Sequence, residues 1–164
     1  MKSFLLITTG GTIDKVYRPL AGSLALGESQ VPEKLKLLGA PQVWEHLELM
    51  SVDSLEMTEA QRNEIAEVCR SSKHDRILIT HGTDTLVETG KVIEKVLLEG
   101  TRVVMTGAMV PLSVKGSDGE FHLGAALAHL QEDGDGVFVS FHGELFPSNA
   151  CRKNRELGRF VAID

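Results

Sequence analysis

One stretch of the chain brings side chains that could do chemistry directly to the end of a predicted strand. The apolar run from Arg76 to Thr80 predicts a buried β-strand, and His81-Gly82-Thr83-Asp84-Thr85 follows it before a helical pattern that extends to about Glu99. In an open α/β sheet, ligands bind at the carboxyl ends of the strands, where a following helix also points free N–H groups. Thr83 and Asp84 would then line a site. The alternative interpretation is that one of them only caps the helix.

A second turn of the same kind follows the first predicted strand, Ser3 to Thr8. Thr9-Gly10-Gly11-Thr12-Ile13-Asp14 places two glycines, which allow positive φ or a close approach to a ligand, between threonine hydroxyls. A threonine hydroxyl is a poor nucleophile unless a neighbouring base takes its proton, and Asp84 together with a lysine could supply that relay. A phosphate-binding loop is disfavoured, because the turn lacks a Gly-Lys-Ser/Thr ending and a third glycine at dinucleotide spacing.

A third polar segment is expected at the same edge of the sheet. Trp44 to Val52 alternates as a strand does, and Asp53-Ser54-Leu55-Glu56-Met57 follows it. Thr58-Glu59-Ala60-Gln61 then has the spacing of a capping box and predicts a helix that runs to about Arg70. Strand, polar turn and helix therefore recur for a third time.

The remaining segments complete an alternation of strands and helices. They are a long loop Lys15–Gln30, a helix Val31–Leu38 ended by Gly39 and Pro41, a strand Arg102–Thr106, a loop Gly107–Asp118, a helix Glu120–Gln131, a strand Gly136–Phe141, a polar loop through Lys153 and a short strand Phe160–Ile163. This order predicts an α/β fold: an open, mostly parallel sheet with helices on both faces, in three layers of flavodoxin or Rossmann type.

Length and composition limit the class of protein. With 164 residues and 42% hydrophobic residues, the chain fits a single domain over residues 1–164. The net charge of −6 disfavours a nucleic-acid partner, because phosphate neutralisation needs clustered Lys and Arg. The opening segment Met1–Ile7 is too short for a signal peptide or a membrane span, so no membrane partner is expected. Cys69 and Cys151 are isolated thiols that fit a reducing cytoplasm, so we predict a cytoplasmic protein without a disulfide.

The six histidines raise the question of a metal site. His122 and His129 are seven residues apart on one predicted helix, which is two turns, and no Cys or carboxylate set stands at ligand spacing with them. We therefore expect neither a metal nor another cofactor.

The two threonine turns, in this order, resemble those of the L-asparaginase family of bacterial type. The amino-terminal domain of that family carries a Thr-Gly-Gly-Thr-Ile turn and a His-Gly-Thr-Asp-Thr turn, as here. Gly107-Ala108-Met109 with Pro111, and Ser117-Asp118-Gly119, are similar to the family's loop after the fourth strand, and Asn149 to Lys153 is similar to its catalytic-lysine segment. The resemblance implies an amidohydrolase that converts L-asparagine to L-aspartate and ammonia without a cofactor.

The resemblance also implies a role for individual residues. Thr12 would be the primary nucleophile, and Tyr17 the tyrosine of the family's mobile loop, although the segment between them is shorter than in the family. The implied second triad is Thr83, Lys153 and Asp84. The implied substrate-binding residues are Gly11, Asp53, Ser54, Leu55, Gly82 and Ala108, where Ser54 matches the family's serine and Leu55 stands where some members have glutamine.

The resemblance ends where the family's amino-terminal domain ends, so we expect the smaller carboxy-terminal domain to be absent and the site to be closed in a homodimer or homotetramer. Three alternatives stay open. One is a non-catalytic amino-acid-binding or regulatory module, a second is a hydrolase of another small amide such as glutamine, and a third is a subunit that feeds ammonia to a partner, as in related amidotransferases. The presence of both threonines, Asp84 and Lys153 favours an enzyme, because binding alone does not require a nucleophile.

Overall fold

From Val31 to Phe141, helices and strands alternate along the chain, as the sequence predicts. The computed structural model describes residues 1–40 and 43–163. Its strands are β1 (Phe4–Gly10), β2 (Lys15–Arg18), β3 (Ser23–Leu26), β4 (Trp44–Val52), β5 (Arg76–Thr80), β6 (Arg102–Thr106), β7 (Gly136–Phe141), β8 (Glu144–Pro147), β9 (Cys151–Asn154) and β10 (Arg159–Ala162). Its helices are α1 (Val31–Leu37), α2 (Glu59–Ser71), α3 (Leu86–Glu94) and α4 (Gly119–Leu130), with single 3₁₀ turns at Thr12–Asp14 and Ser148–Ala150.

Six strands form the central sheet, in the order β4-β1-β5-β6-β7-β8. The first five run parallel, and β8 lies antiparallel to β7 at one edge. The chain passes from β1 outwards to β4 and then returns to β5 on the opposite side of β1, so the strand order reverses between β1 and β5. The predicted α/β fold is confirmed, and its switch point lies between the two threonine turns.

The sheet is buried on both faces, because the side chains of each central strand point alternately to either side. In β5, Ile77 and Ile79 belong to a core with α2 and α3, whereas Leu78 belongs to a second core with α1 and α4. Parallel strands buried in this way read as continuous apolar runs. This explains why the strands could be located from the sequence.

The prediction of a structureless loop over residues 15–30 is wrong. Strands β2 and β3 form an antiparallel hairpin there, in which Lys15 pairs with Leu26 and Arg18 with Ser23. The Pro19–Gly22 segment is the turn of this hairpin, and the amide of Gly22, which has φ of 63°, donates to the carbonyl of Arg18 over 2.9 Å. Residues that break a periodic pattern here mark a turn between two short strands.

The predicted polar loop between Phe141 and Lys153 is also wrong. His142 and Gly143 have φ of 53° and 79° and connect β7 to β8 in a two-residue hairpin turn. After a 3₁₀ turn, β9 pairs with β10 in a separate two-stranded sheet. Lys153 therefore lies in a strand of defined register.

Two helix boundaries need comment. Helix α3 ends at Glu94 and not near Glu99, because the amide of Val96 donates to the carbonyl of Ile93 and the last turn tightens. Helix α2 begins with the predicted capping box, in which the Thr58 side chain accepts from the Gln61 amide and Gln61 returns a bond to the Thr58 amide. The predicted role of Pro41 in ending α1 lies outside the described residues.

Candidate active site

Three turns at the carboxyl ends of β1, β4 and β5 meet at the switch point. The registers of β1 and β5 place Thr8 beside Thr80, so the turns that follow start level with each other. Gly11 packs directly on the backbone of Gly82, and Gly82 in turn packs on the side chain of Ser54, in both cases with no room for a Cβ atom. Gly11 also has φ of 81°, which disfavours a larger residue. The predicted site residues of these turns are therefore neighbours.

Thr12 begins a 3₁₀ turn next to this contact and is partly buried. The turn is fixed from inside by Ile13, which is 1% exposed, and the amide of Leu112 donates to the Ile13 carbonyl over 3.2 Å. The backbone of Thr12 is thus held by the core just after the carboxyl end of β1. A hydroxyl on a fixed backbone can attack a bound carbonyl if a base takes its proton.

The structure brings Lys153 to Thr83 and Asp84. Its Nζ lies 2.7 Å from Thr83 Oγ1 and 3.0 Å from Asp84 Oδ1, although the three residues come from segments about seventy positions apart. The Lys153 side chain is 15% exposed and that of Asp84 30%. Arg155 lies 3.5 Å from the same carboxylate oxygen. The arrangement has the geometry that a proton relay requires, in which a carboxylate orients an amine whose nitrogen contacts a hydroxyl.

The alternative that Thr83 or Asp84 only caps α3 is wrong. The residue at the N-cap position is Thr85, and no side chain makes a cap hydrogen bond there. The Thr85 hydroxyl instead donates to the carbonyl of Ser54 over 2.7 Å and accepts from Arg62 over 2.8 Å. Thr85 therefore ties the β5 turn to the β4 turn.

The β4 turn is ordered by an ion pair. Asp53 Oδ2 lies 2.8 Å from Lys15 Nζ, and Asp53 Oδ1 accepts from the amide of Leu55 over 3.1 Å. The Lys15 bond is the largest influence that holds the pKa of Asp53 below its usual value. Ser54 is 1% exposed beside Gly82, whereas the side chain of Leu55 is 64% exposed. Of these predicted substrate contacts, Ser54 faces inwards and Leu55 points outwards.

The loop after β6 closes another side of the site. Ala108 is fully buried, and the Asp118 carboxylate accepts from the amides of Met109 and Val110 at 2.9 to 3.1 Å. Met109 Sδ lies 3.8 Å from Thr83 Oγ1. Asp118 thus acts as the anchor that holds the Ala108 loop against the relay.

Tyr17 lies on β2 of the hairpin and is 60% exposed. Its neighbour Lys15 joins the hairpin to Asp53, and the Lys15 carbonyl accepts from Ser113 over 2.7 Å. The hairpin is therefore attached to the site at its base, while the predicted catalytic tyrosine lies towards its tip.

Two buried polar groups near the site were not identified as functional from the sequence. His81 is fully buried, with Nδ1 2.8 Å from the Gly82 carbonyl and Nε2 2.9 Å from the Thr89 hydroxyl. Burial lowers the pKa of His81 to about 4, so it is neutral and braces the β5 turn. Asp14 is 2% exposed and accepts from the Ser29 hydroxyl over 2.8 Å. The clue in the sequence was a carboxylate two residues after Thr12.

His122 and His129, for which we predicted no metal, have different neighbours in the structure. His129 Nδ1 lies 2.9 Å from the Ser140 hydroxyl, so it does not pair with His122. His122 instead lies with Asp118 and His142, and donor atoms of these three residues are within 4.8 Å of one another. This cluster is joined to the loop that carries Ala108 by the contact of His122 Nδ1 with the Gly107 carbonyl over 2.9 Å.

Comparisons with known proteins agree with this geometry. The model of the family described as asparaginase, N-terminal, matches residues 3–160. The chain belongs to the asparaginase family. It is 35% identical over 153 residues to a protein named "Probable L-asparaginase" from Deinococcus radiodurans, covering 90% of this chain and 46% of that protein. It is 27% identical over 175 residues to a glutaminase-asparaginase from Pseudomonas fluorescens, covering 99% and 47%.

The fold also matches solved members of the family. Superposition on the thermostable L-asparaginase from Thermococcus kodakarensis gives a TM-score of 0.84 at 26% identity, covering 98% of this chain and 51% of that one. The chain thus spans about half the length of the curated relatives it matches, and it corresponds to their amino-terminal domain. None of the helices within the described residues is long and apolar enough to cross a bilayer.

We predict that Asp14→Asn stabilises the protein at neutral pH. Burial is the main influence that raises the pKa of Asp14 from 3.8 to about 6, so folding at neutral pH requires a charged carboxylate to be buried. Two pKa units correspond to about 2–3 kcal/mol in the free energy of unfolding. The gain should be full above pH 6, should decline as the pH falls towards 4, and should vanish where the carboxyl is protonated in both states.

Urea unfolding measured across this pH range tests the prediction. Asp133→Asn is the matched control, because the Asp133 side chain is fully exposed. An Asp14→Asn protein that is less stable than the parent at pH 8 would show that hydrogen bonds outweigh burial at this carboxylate.

Proposed function

We propose that the protein is an amidohydrolase that converts L-asparagine to L-aspartate and ammonia through a threonine nucleophile. The observation that carries this proposal is the contact of Lys153 Nζ with Thr83 and Asp84, at 2.7 and 3.0 Å, in a turn packed against the turn that bears Thr12. Surface ion pairs contribute little to stability. A lysine held on a threonine hydroxyl beside a second threonine is better explained by proton transfer than by folding.

The proposed reaction has two halves. In the first, Thr12 Oγ1 forms a bond to the side-chain amide carbon, the hydroxyl proton passes through the relay to the amide nitrogen, and the carbon–nitrogen bond breaks to release ammonia. In the second, a water attacks the resulting ester, the Thr83–Lys153–Asp84 relay passes a proton from that water to Thr12 Oγ1, and the ester bond breaks to release aspartate and restore the Thr12 hydroxyl. Lysine can act as the acceptor only as a neutral amine, since an ammonium has no free electron pair.

The start of α3 supplies the proposed electrostatic stabilisation. The helix begins at Leu86, directly after Thr83–Thr85, and its first amides have no partner within the helix. Amides of this kind stabilise the oxyanion that forms when a carbonyl is attacked. The Thr85 hydroxyl, by binding the Ser54 carbonyl over 2.7 Å, keeps these amides in place.

The substrate is proposed to lie among the three packed turns. Gly11 and Gly82 provide backbone without side chains, and buried Ser54 provides a hydroxyl close to both. Ala108 bounds the pocket on the side of β6. Because Leu55 is exposed, its contribution is proposed to be its backbone, which Asp53 fixes over 3.1 Å.

A non-catalytic binding module is the less favoured alternative. A protein that only binds an amino acid needs charged and polar contacts with it. It does not need a lysine amine in contact with a threonine hydroxyl. Relatives are named L-asparaginase and glutaminase-asparaginase, so the deciding assay measures ammonia release from asparagine and from glutamine. Tight binding of either amino acid without release would favour the binding module.

The proposed compartment is the cytoplasm. Both Cys69 and Cys151 are buried free thiols. Free thiols are usual in a reducing compartment, whereas secreted proteins of this size commonly form disulfides.

We predict that Thr12→Val abolishes turnover and that Thr12→Ser retains part of it. Valine keeps the shape of the side chain and removes the nucleophile, so kcat should fall at least about a thousandfold, as for other nucleophile losses. Ammonia release is the measurement, with circular dichroism and the melting temperature as controls for the fold. A Thr12→Val enzyme within tenfold of the parent would instead assign the nucleophile to Thr83, the hydroxyl that Lys153 contacts.

Lys153→Met should lower kcat by about a hundredfold to ten-thousandfold, the usual contribution of a general base. Ammonia release is again the measurement. Arg152→Met is the matched control, because Arg152 is the adjacent cation of β9 and is exposed. An unchanged kcat in Lys153→Met would remove Lys153 from the relay.

We further propose that the working enzyme is a homodimer, or a tetramer of dimers. Asp84 and the predicted catalytic Tyr17 are 30% and 60% exposed, so bulk water reaches the site in a single chain. Water weakens the electrostatic contacts that stabilise an oxyanion. A second subunit against the rim would exclude it, and two-fold assembly is the commonest kind.

Specific activity should therefore fall on dilution in step with the mass measured by light scattering. Addition of the inactive Thr12→Val protein to a dilute sample should restore part of the activity, because mixed dimers still close the parent site. A monomer that keeps its full specific activity at every dilution would show that the β2–β3 hairpin closes the site alone.

A further inference from the structure

A second cluster of chemically active side chains lies at the other end of the same edge of the sheet. Asp118 precedes α4, His122 lies one turn into it, and His142 follows β7. One carboxylate oxygen and one nitrogen from each histidine lie within 4.8 Å of one another. The proposed amidohydrolase reaction uses none of the three as a reacting group.

His122 has an unsatisfied nitrogen. The residue is fully buried, and its Nδ1 lies 2.9 Å from the carbonyl of Gly107, which can only accept, so Nδ1 carries the proton. Nε2 then holds a free electron pair, and it is buried without a hydrogen-bond partner among the described residues. Burial without a partner is costly for a polar atom. A histidine that donates one N–H to a backbone carbonyl and leaves the other nitrogen free has the usual arrangement of a metal ligand.

The His122 ring lies against His142 at the end of the next strand. Gly107 follows β6, and His142 follows the neighbouring strand β7. The two imidazoles meet edge to face, with centroids 5.0 Å apart. His142 is held at this place by its positive φ of 53° in the two-residue turn before β8.

Asp118 supplies the oxygen. Its Oδ2 lies 3.6 Å from the protonated Nδ1 of the His122 ring and accepts from the amide of Met109 over 3.0 Å. A carboxylate oxygen can accept twice, so an electron pair remains on it. The Asp118 side chain is 25% exposed, which leaves a path for an ion from solvent.

We propose that Asp118, His122 and His142 form a binding site for one divalent transition-metal ion of the zinc and cobalt type. Two imidazoles and one carboxylate suit such ions better than Mg²⁺ or Ca²⁺, which take oxygen ligands. Ligands of a tetrahedral ion at about 2.1 Å stand roughly 3.4 Å apart, so a small rotation of the partly buried His142 completes the site.

The bound ion would stabilise the loop that carries Ala108. Asp118 holds the amides of Met109 and Val110, and Gly107 accepts from His122, so these hydrogen bonds join the cluster to the loop that carries Ala108. Binding should therefore stiffen that loop and raise the melting temperature. The proposal stands independently of the amidohydrolase reaction.

Titration of the chelator-treated protein with Zn²⁺ in a calorimeter, and with Co²⁺ followed by visible absorption, tests the site. We expect one ion per chain, a higher melting temperature with Zn²⁺, and a Co²⁺ spectrum typical of four or five ligands. His142→Asn is the main variant, because asparagine tolerates positive φ and so keeps the turn. It should weaken Zn²⁺ binding at least about tenfold, since loss even of supporting residues has effects of this size.

His46→Gln is the matched control, because His46 lies on the exposed edge strand β4, and it should bind Zn²⁺ as the parent does. Thiol ligation is opposed by burial, which raises the pKa of Cys69 to about 12 and that of Cys151 to about 11. Two results would overturn the proposal: no saturable binding by the parent protein, or equal affinity in the parent and His142→Asn. An equal loss of Zn²⁺ affinity in His142→Asn and His46→Gln would also overturn it, because binding would then be assigned to surface histidines.

Discussion

The packing of Gly11 on Gly82, and of Gly82 on Ser54, is the contact on which the candidate active site depends. It lets three backbone turns meet at the point where the strand order of the sheet reverses, so that side chains far apart in sequence face one volume. A Cβ atom at Gly11 would clash with the β5 turn at Gly82, and a Cβ atom at Gly82 would clash with Ser54 in the β4 turn. The hydroxyls of Thr12 and Thr83 are thus positioned by backbone contact.

Lys153 reaches this volume through apolar packing. The β9–β10 hairpin is anchored by Cys151, which is fully buried, and by Phe160, whose ring lies 4.7 Å from that of Phe141 in β7. A partly exposed ion pair contributes at most about 1 kcal/mol, whereas a buried aromatic ring contributes about 1.5–3 kcal/mol. The hairpin therefore places the amine on Asp84, and the ion pair only refines its position.

The ends of the neighbouring strands β6 and β7 carry a different chemistry. There Asp118 and His122 fix the backbone of the Ala108 loop, with His142 beside them. The sequence places His122 and His129 two turns apart on one helix. In the fold, however, the His129 ring contacts the Ser140 hydroxyl. The neighbour of His122 is His142, which follows β7. Periodicity within a helix cannot predict a contact between a helix and the end of a strand.

The sequence by itself determined the parallel sheet, its helices and the three polar turns, because strands buried on both faces give continuous apolar runs that end sharply. It also supplied the threonine motifs, since a turn and its functional side chains are local. Only the tertiary structure decided that residues 15–26 pair as a hairpin, that Lys153 contacts Thr83, and that Asp14 is buried with a raised pKa. Short exposed strands bury too little apolar surface to produce a clear alternation of apolar and polar residues in the sequence. Burial and ion pairing of a side chain depend on contacts between segments that are distant in sequence.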